Sequence, residues 1–159
     1  MEPINAYMMK DHQEIDAIFM RSRDAAATSD WIGLQRNGEA FLGRIGRHIE
    51  MEEELLFPTF DETTGMSSGG PTETMRSEHA QMQPMFAQMC AAIDAKNAAQ
   101  YLQVSQTLNE LLQQHNMKEE QMMYPMLDRA LGGAAAKMVV ELRKRALAPS
   151  CLPAEAAHR

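Results

Sequence analysis

The sequence predicts an all-α protein, an up-down-up-down four-helix bundle with a short fifth C-terminal helix. Three observations predict it. The first is a repeat: displacing the 159-residue chain by 67 positions lays His12 on His79, Phe19 on Phe86, His48 on His115, Glu52 on Glu119, Glu53 on Glu120, Pro58 on Pro125 and Asp61 on Asp128. Self-similarity at a fixed spacing means one structural unit used twice. The second is composition, rich in Ala, Met, Gln, Glu and Leu and poor in aromatic and β-branched residues, which favours helix over strand. The third is apolar spacing at helical intervals through each half.

Taken in order, Pro3 opens a first helix that the periodicity extends to Ala27, with Ile4, Met8, His12, Ile15, Ile18 and Phe19 on one face. Thr28-Ser29-Asp30 supplies N-cap chemistry for a second helix from Trp31 to Phe57, with an inner stripe of Leu34, Phe41, Ile45, His48, Glu52 and Leu55. Pro58 lacks an amide hydrogen and ends or kinks that helix. Thr63 to Pro71 reads as the loop between the halves. A third helix, Thr72–Ala95, turns Met75, His79, Met82, Phe86, Met89 and Ile93 inward, with a kink expected at Pro84. The fourth, Ala98–Leu131, carries Leu108, Leu111, Leu112, His115, Glu119, Met122 and Met126 inward and stops at Gly132-Gly133. An amphipathic segment, Ala134–Ala148, precedes Pro149. Residues 1–148 thus read as one domain and 149–159 as a flexible tail.

A formal charge of −7 argues against nucleic acid or an anionic membrane as partner. Two cysteines, Cys90 and Cys151, form no metal or redox spacing and suit a reducing compartment. With no leader pattern and no apolar run of spanning length, the chain reads as cytoplasmic.

Four of the five histidines fall on the repeat. His48 and Glu52, like His115 and Glu119, lie four residues apart and so project from one helix face. In an up-down bundle with short turns, His12, His48, His79 and His115 arrive at nearly one level, together with Glu52 and Glu119. Six such donors exceed one tetrahedral zinc and suit two ions, each taking two His, with the two Glu as bridges. Imidazole and carboxylate without thiolate suit Fe or Mn and permit Zn. Divalent cations would also offset the cost of two buried carboxylates. Other residues read more plainly. Glu53 and Glu120 face partly away, as solvated or outer supporting groups. Asp16 and Gln83 stand four residues after His12 and His79 as candidate supports or extra ligands. Tyr124, nine residues after His115, reads as packing. Arg44 either reaches the bundle end or pairs with a buried carboxylate. Cys90 and the fifteen methionines read as core filler.

This pattern resembles the hemerythrin-like family, the His-His-Glu cation-binding domains, over roughly Ile4 to Leu131. The resemblance implies a non-haem centre of two iron ions with an oxo or hydroxo bridge, Mn or Zn being possible. Its ligands fall on His12, His48, Glu52, His79, His115 and Glu119. Oxygen carriers of the family have a His where this chain has Gln83, and an acidic residue at the position of Glu120. The four-His, two-Glu set is closer to the di-iron domain of bacterial iron-centre repair proteins, which usually carry an additional N-terminal cysteine region. The expectation is therefore a protein that binds or reacts with O2, NO or peroxide, in sensing, stress response, repair or iron donation rather than bulk oxygen transport. A di-iron enzyme acting on peroxide or O2, and a zinc-holding structural bundle, are the alternatives.

Overall fold

Residues 2–66 and 69–147 are described by the computed structural model. Two N-caps set the two turns that follow the first and third long helices. Asp30 accepts the Gly33 amide at 3.0 Å, and Asn97 accepts that of Gln100 at 3.0 Å. Each side chain satisfies a donor that the first helical turn leaves open. The residues just before the caps, Ser29 and Lys96, both take positive φ, so the tight turn itself is repeated.

From these caps the elements follow in register. Helix α1 spans Ile4–Ala27 and α4 spans Pro71–Asp94; α2 spans Trp31–Met51 and α5 spans Ala98–Lys118. Each of the latter two passes through one π-helical turn, Glu52–Leu56 and Glu119–Met123, into a further helix, α3 (Phe57–Thr64) and α6 (Tyr124–Leu131). A short 3-10 turn, Gly132–Ala134, leads to α7, Ala135–Leu147. Every bound in the first half recurs 67 residues later. The protein is a helical bundle of four long rods. Helix α1 packs on α2 and α5, α4 packs on α5 and α2, and α7 lies against α1 and α2. No helix among the described residues is long and apolar enough to cross a membrane.

Two expectations change. The second rod does not end at Pro58 but continues to Thr64, where Gly65, at φ 71, supplies the left-handed residue that closes it. The π turn absorbs the proline: Phe57 N–H reaches back five residues to Glu52 O, ahead of the residue that has no amide to give. The widened turn also shifts the inward stripe by one residue, so Leu56 is buried where Leu55 was expected, and Met123 where Met122 was. Met122 is 43 % exposed. Helix α4 includes Pro84 within its span; Pro84 is exposed, as is Ala80, whose carbonyl loses its partner. Arg44 bonds Asp11 and Glu14, Cys90 is a buried core thiol, and the predicted tail 149–159, with Cys151 and His158, lies outside the described residues.

The core divides into two apolar clusters. One, around Phe19, Phe41, Phe86, Leu108 and Tyr101, fills the end with the capped turns. The other, around Met8, Leu56, Phe57, Phe60, Tyr124, Leu127 and Leu142, fills the opposite end and includes α7. The conserved-spacing histidines sit in the layer between them.

Candidate metal centre

Helix α1 supplies His12, α2 supplies His48, α4 supplies His79 and α5 supplies His115. Glu52 and Glu119 open the two π turns. All six are buried, the histidines at 2–5 % exposure and the two glutamates at 0 %. The chain brings together every residue expected at the centre. His12, His48, Glu52 and Glu119 offer donor atoms within 4.8 Å of one another, and so do Glu52, His79, His115 and Glu119. Both glutamates belong to both groups, which is the arrangement two bridging carboxylates make.

Each imidazole is held from behind. Nδ1 of His12 meets Glu120 at 2.6 Å, that of His48 meets Asp11 at 2.7 Å, that of His79 meets Glu53 at 2.7 Å and that of His115 meets Glu78 at 2.8 Å. Ionised carboxylates only accept, so each Nδ1 carries the hydrogen and each Nε2 turns a lone pair inward. Those Nε2 atoms face one another and the glutamates. His12 and His48 are 3.0 Å apart at Nε2, and His79 and His115 3.2 Å. His79 Nε2 lies 3.1 Å from Glu52 Oε1, and His115 Nε2 3.1 Å from Glu119 Oε2. Those two carboxylate oxygens are buried with no hydrogen-bond partner. Four nitrogen lone pairs and two carboxylates converging, with no donor on Glu52 Oε1 or Glu119 Oε2, repel unless positive charge stands between them. The donor set therefore fits a pair of cations.

Protons are the other positive charge available. Burial pushes the imidazoles down, but Glu52, Glu119 and the outer carboxylates outweigh it: all four pKa values are raised, that of His48 well above its ordinary value and that of His79 to about 9. Burial likewise raises the Glu52 carboxyl, yet the His48 charge and the bonds it receives hold it well below the usual range.

Sequence reasoning missed three groups. Asp11 and Glu78 precede His12 and His79 in the repeat; the signal was an acidic residue at the same register in both halves. Tyr124 does more than pack in its apolar cluster. Its hydroxyl bonds Glu52 Oε2 at 2.5 Å and Glu119 Oε1 at 2.9 Å, because the π turn rotates it back toward the axis. Burial and the two carboxylate charges hold its phenol well above its ordinary pKa while no cation offsets them. Asp16 and Gln83 are exposed and make no bond to a site histidine among the described residues. Glu53 and Glu120 are the outer supports their position suggested.

Residues 4–141 match the hemerythrin HHE cation-binding domain. The chain belongs to the hemerythrin family. An uncharacterized hemerythrin-like protein of Schizosaccharomyces pombe is 27 % identical over 134 residues, covering 82 % of this chain and 62 % of that protein. The chain thus spans less than two thirds of this relative's length. No solved structure matches it. Hemerythrin-type folding accounts for the four rods, and the His and Glu groups give this member sites able to hold metal.

Proposed function

We propose that this hemerythrin-family chain is a cytoplasmic non-haem di-iron protein that binds or reacts with a small ligand, O2, NO or peroxide. His12 and His48 hold one ion, His79 and His115 the other, and Glu52 and Glu119 bridge them. The observation that carries this reading is the pair of orphaned, fully buried oxygens, Glu52 Oε1 and Glu119 Oε2, each aimed at an imidazole lone pair. Nitrogen and carboxylate donors without thiolate favour iron, with Mn or Zn as the other fitting ions.

Iron would supply redox chemistry and open coordination places for the ligand. The protein's part is orientation and exclusion. Four Nδ1 bonds lock the ring planes, and the two apolar clusters keep bulk water out. A crevice reaches His12 between apolar Ile15, Phe19, Phe41, Ile45 and Leu112 and polar Asp16, Gln113 and Asn116, and measures about 10 Å³, room for roughly one water. That supports a diatomic or peroxide ligand over an organic substrate. Gln83, which is exposed, leaves this chain without the extra third-rod His of oxygen carriers, which supports sensing, stress response, repair or iron donation over bulk transport.

Elemental analysis and absorption spectra before and after O2, NO and peroxide test the proposal. Two irons per chain and ligand-dependent bands support it; zinc alone, with no spectral response, overturns it. His48→Ala or Glu119→Ala is expected to lose most of the metal while keeping most helicity. Unchanged iron in both would overturn the ligand assignment.

A further inference from the structure

The 67-residue relation pairs the four His, the two inner Glu and their four outer carboxylates with chemically equivalent partners. The aromatic residue after each π turn breaks it. Tyr124 stands where the first half has Phe57. Both rings are fully buried and each directly follows a π turn. The Phe57 ring stacks on His79, centroids 5.6 Å apart, and offers no donor atom. The Tyr124 ring lies 5.8 Å from that of His12 and carries an oxygen into the group formed by His12, His48, Glu52 and Glu119.

The position of that oxygen is specific. It lies 2.5 Å from Glu52 Oε2, 2.9 Å from Glu119 Oε1 and 3.4 Å from His12 Nε2. Two donors at right angles, each about 2.1 Å from one ion, stand about 3.0 Å apart. The other donors of the group are spaced that way: His12 to His48 3.0 Å, His12 to Glu119 Oε1 3.2 Å, His48 to Glu52 Oε2 3.5 Å. The phenol oxygen adds a further vertex to the same polyhedron. A hydrogen bond alone explains the position less well, since one hydroxyl hydrogen cannot serve two carboxylates at once.

We propose that Tyr124 oxygen is a fifth protein donor to the His12–His48 metal position, which makes the two positions of the centre inequivalent. The His79–His115 position, faced by Phe57, has four protein donors and one more place for an exogenous ligand. This rests on the two-metal reading above. On coordination the phenol O–H bond is replaced by an O–metal bond and the proton passes to solvent; nothing is oxidised or reduced.

The test uses the full chain loaded with ferrous iron and oxidised in air, with iron content, visible absorption and resonance Raman spectra read on one sample. The expected result is a phenolate-to-ferric charge-transfer band with tyrosinate ring modes that shift when the protein is grown on ring-deuterated tyrosine. Tyr124→Phe abolishes both and retains iron, and Phe57→Tyr roughly doubles them. The isotope shift decides the matter even if Tyr124→Phe fails to fold, because Tyr101 is bonded to Ser22 in the other cluster and Tyr7 lies on the outer face of α1 against Arg143. Two irons per chain without tyrosinate modes overturns the tyrosine assignment and leaves the centre standing. No iron uptake overturns both.

Discussion

At the scale of single residues, the centre depends as much on the groups behind the histidines as on the histidines themselves. Asp11 is a clear case: it bonds His48 Nδ1 at 2.7 Å and is itself gripped by Arg44 at 2.8 Å. Glu78 does the same for His115, with Lys118 bonded to its other oxygen. Such supports fix the tautomer and raise ligand basicity, and losing one costs about 10–100-fold in metal affinity. Asp11→Ala and Glu78→Ala are each expected to show that loss by competition with a chelator. Glu53→Ala should lose less, since Glu53 is 38 % exposed and water can replace it. Titration gives a second expectation. The metal-free fold holds His79 at about 9 against an ordinary 6.5, so between those values the folded chain binds more protons than the unfolded one. The stability from this group is fully present below about 6.5 and is lost as pH rises through about 9. Thermal scans of metal-free protein should show Tm falling across that window, while metal affinity rises over the same range as protons leave Nε2. The six inner donors were legible in the sequence because the repeat doubled each of them. Asp11 and Glu78 were doubled too, but a carboxylate beside a histidine in sequence points away from that histidine on a helix, and its true partner is on another rod.

At the scale of elements, the π turns decide which residues face inward. A π turn accommodates one residue more than an α turn and so rotates everything after it by about one α-helical residue. That rotation brings Tyr124 to the axis, seats Leu56 and Met123, and leaves Met122 exposed. Deleting exposed Met122 restores α register without removing any buried side chain. Because the π turn holds one residue more than an α turn, removing one leaves Tyr124 and Leu127, both fully buried, facing the axis. The expected outcome is a urea midpoint and a metal content little changed; a large drop in both would mean that the π turn does more than set the register. The rod ends were legible from Asp30, the paired turns and Gly132. The π turns were not, because a strict 3.6-residue period carried past Glu52 and Glu119 has nothing local to correct it. Pro58 and Pro125 marked the places, but a proline in sequence signals a break or a kink as readily as a widened turn.

At the scale of the molecule, the two halves are interlocked across a pseudo-twofold axis. Glu120 of the second half supports His12 of the first, and Glu53 of the first supports His79 of the second. Asp128 likewise receives the Ile4 and Asn5 amides at the start of α1, while Asp61 holds Thr72 and Arg76 at the start of α4. A pair of ions held at mid-height, as proposed, would tie all four rods at once, so their removal should be felt globally. Ligand that binds only the folded state stabilises it by about 2.7 kcal/mol at a free concentration 100 times Kd. Against that loss stand the two apolar clusters, which close the bundle on either side of the centre. The imidazoles also gain protons when cations leave, which offsets part of the carboxylate repulsion. Chelation at neutral pH should thus lower Tm markedly while far-UV helicity persists, and re-addition of metal should restore Tm. Unfolding on chelation would show instead that the paired ions, and not the hydrocarbon on either side of them, hold this bundle together.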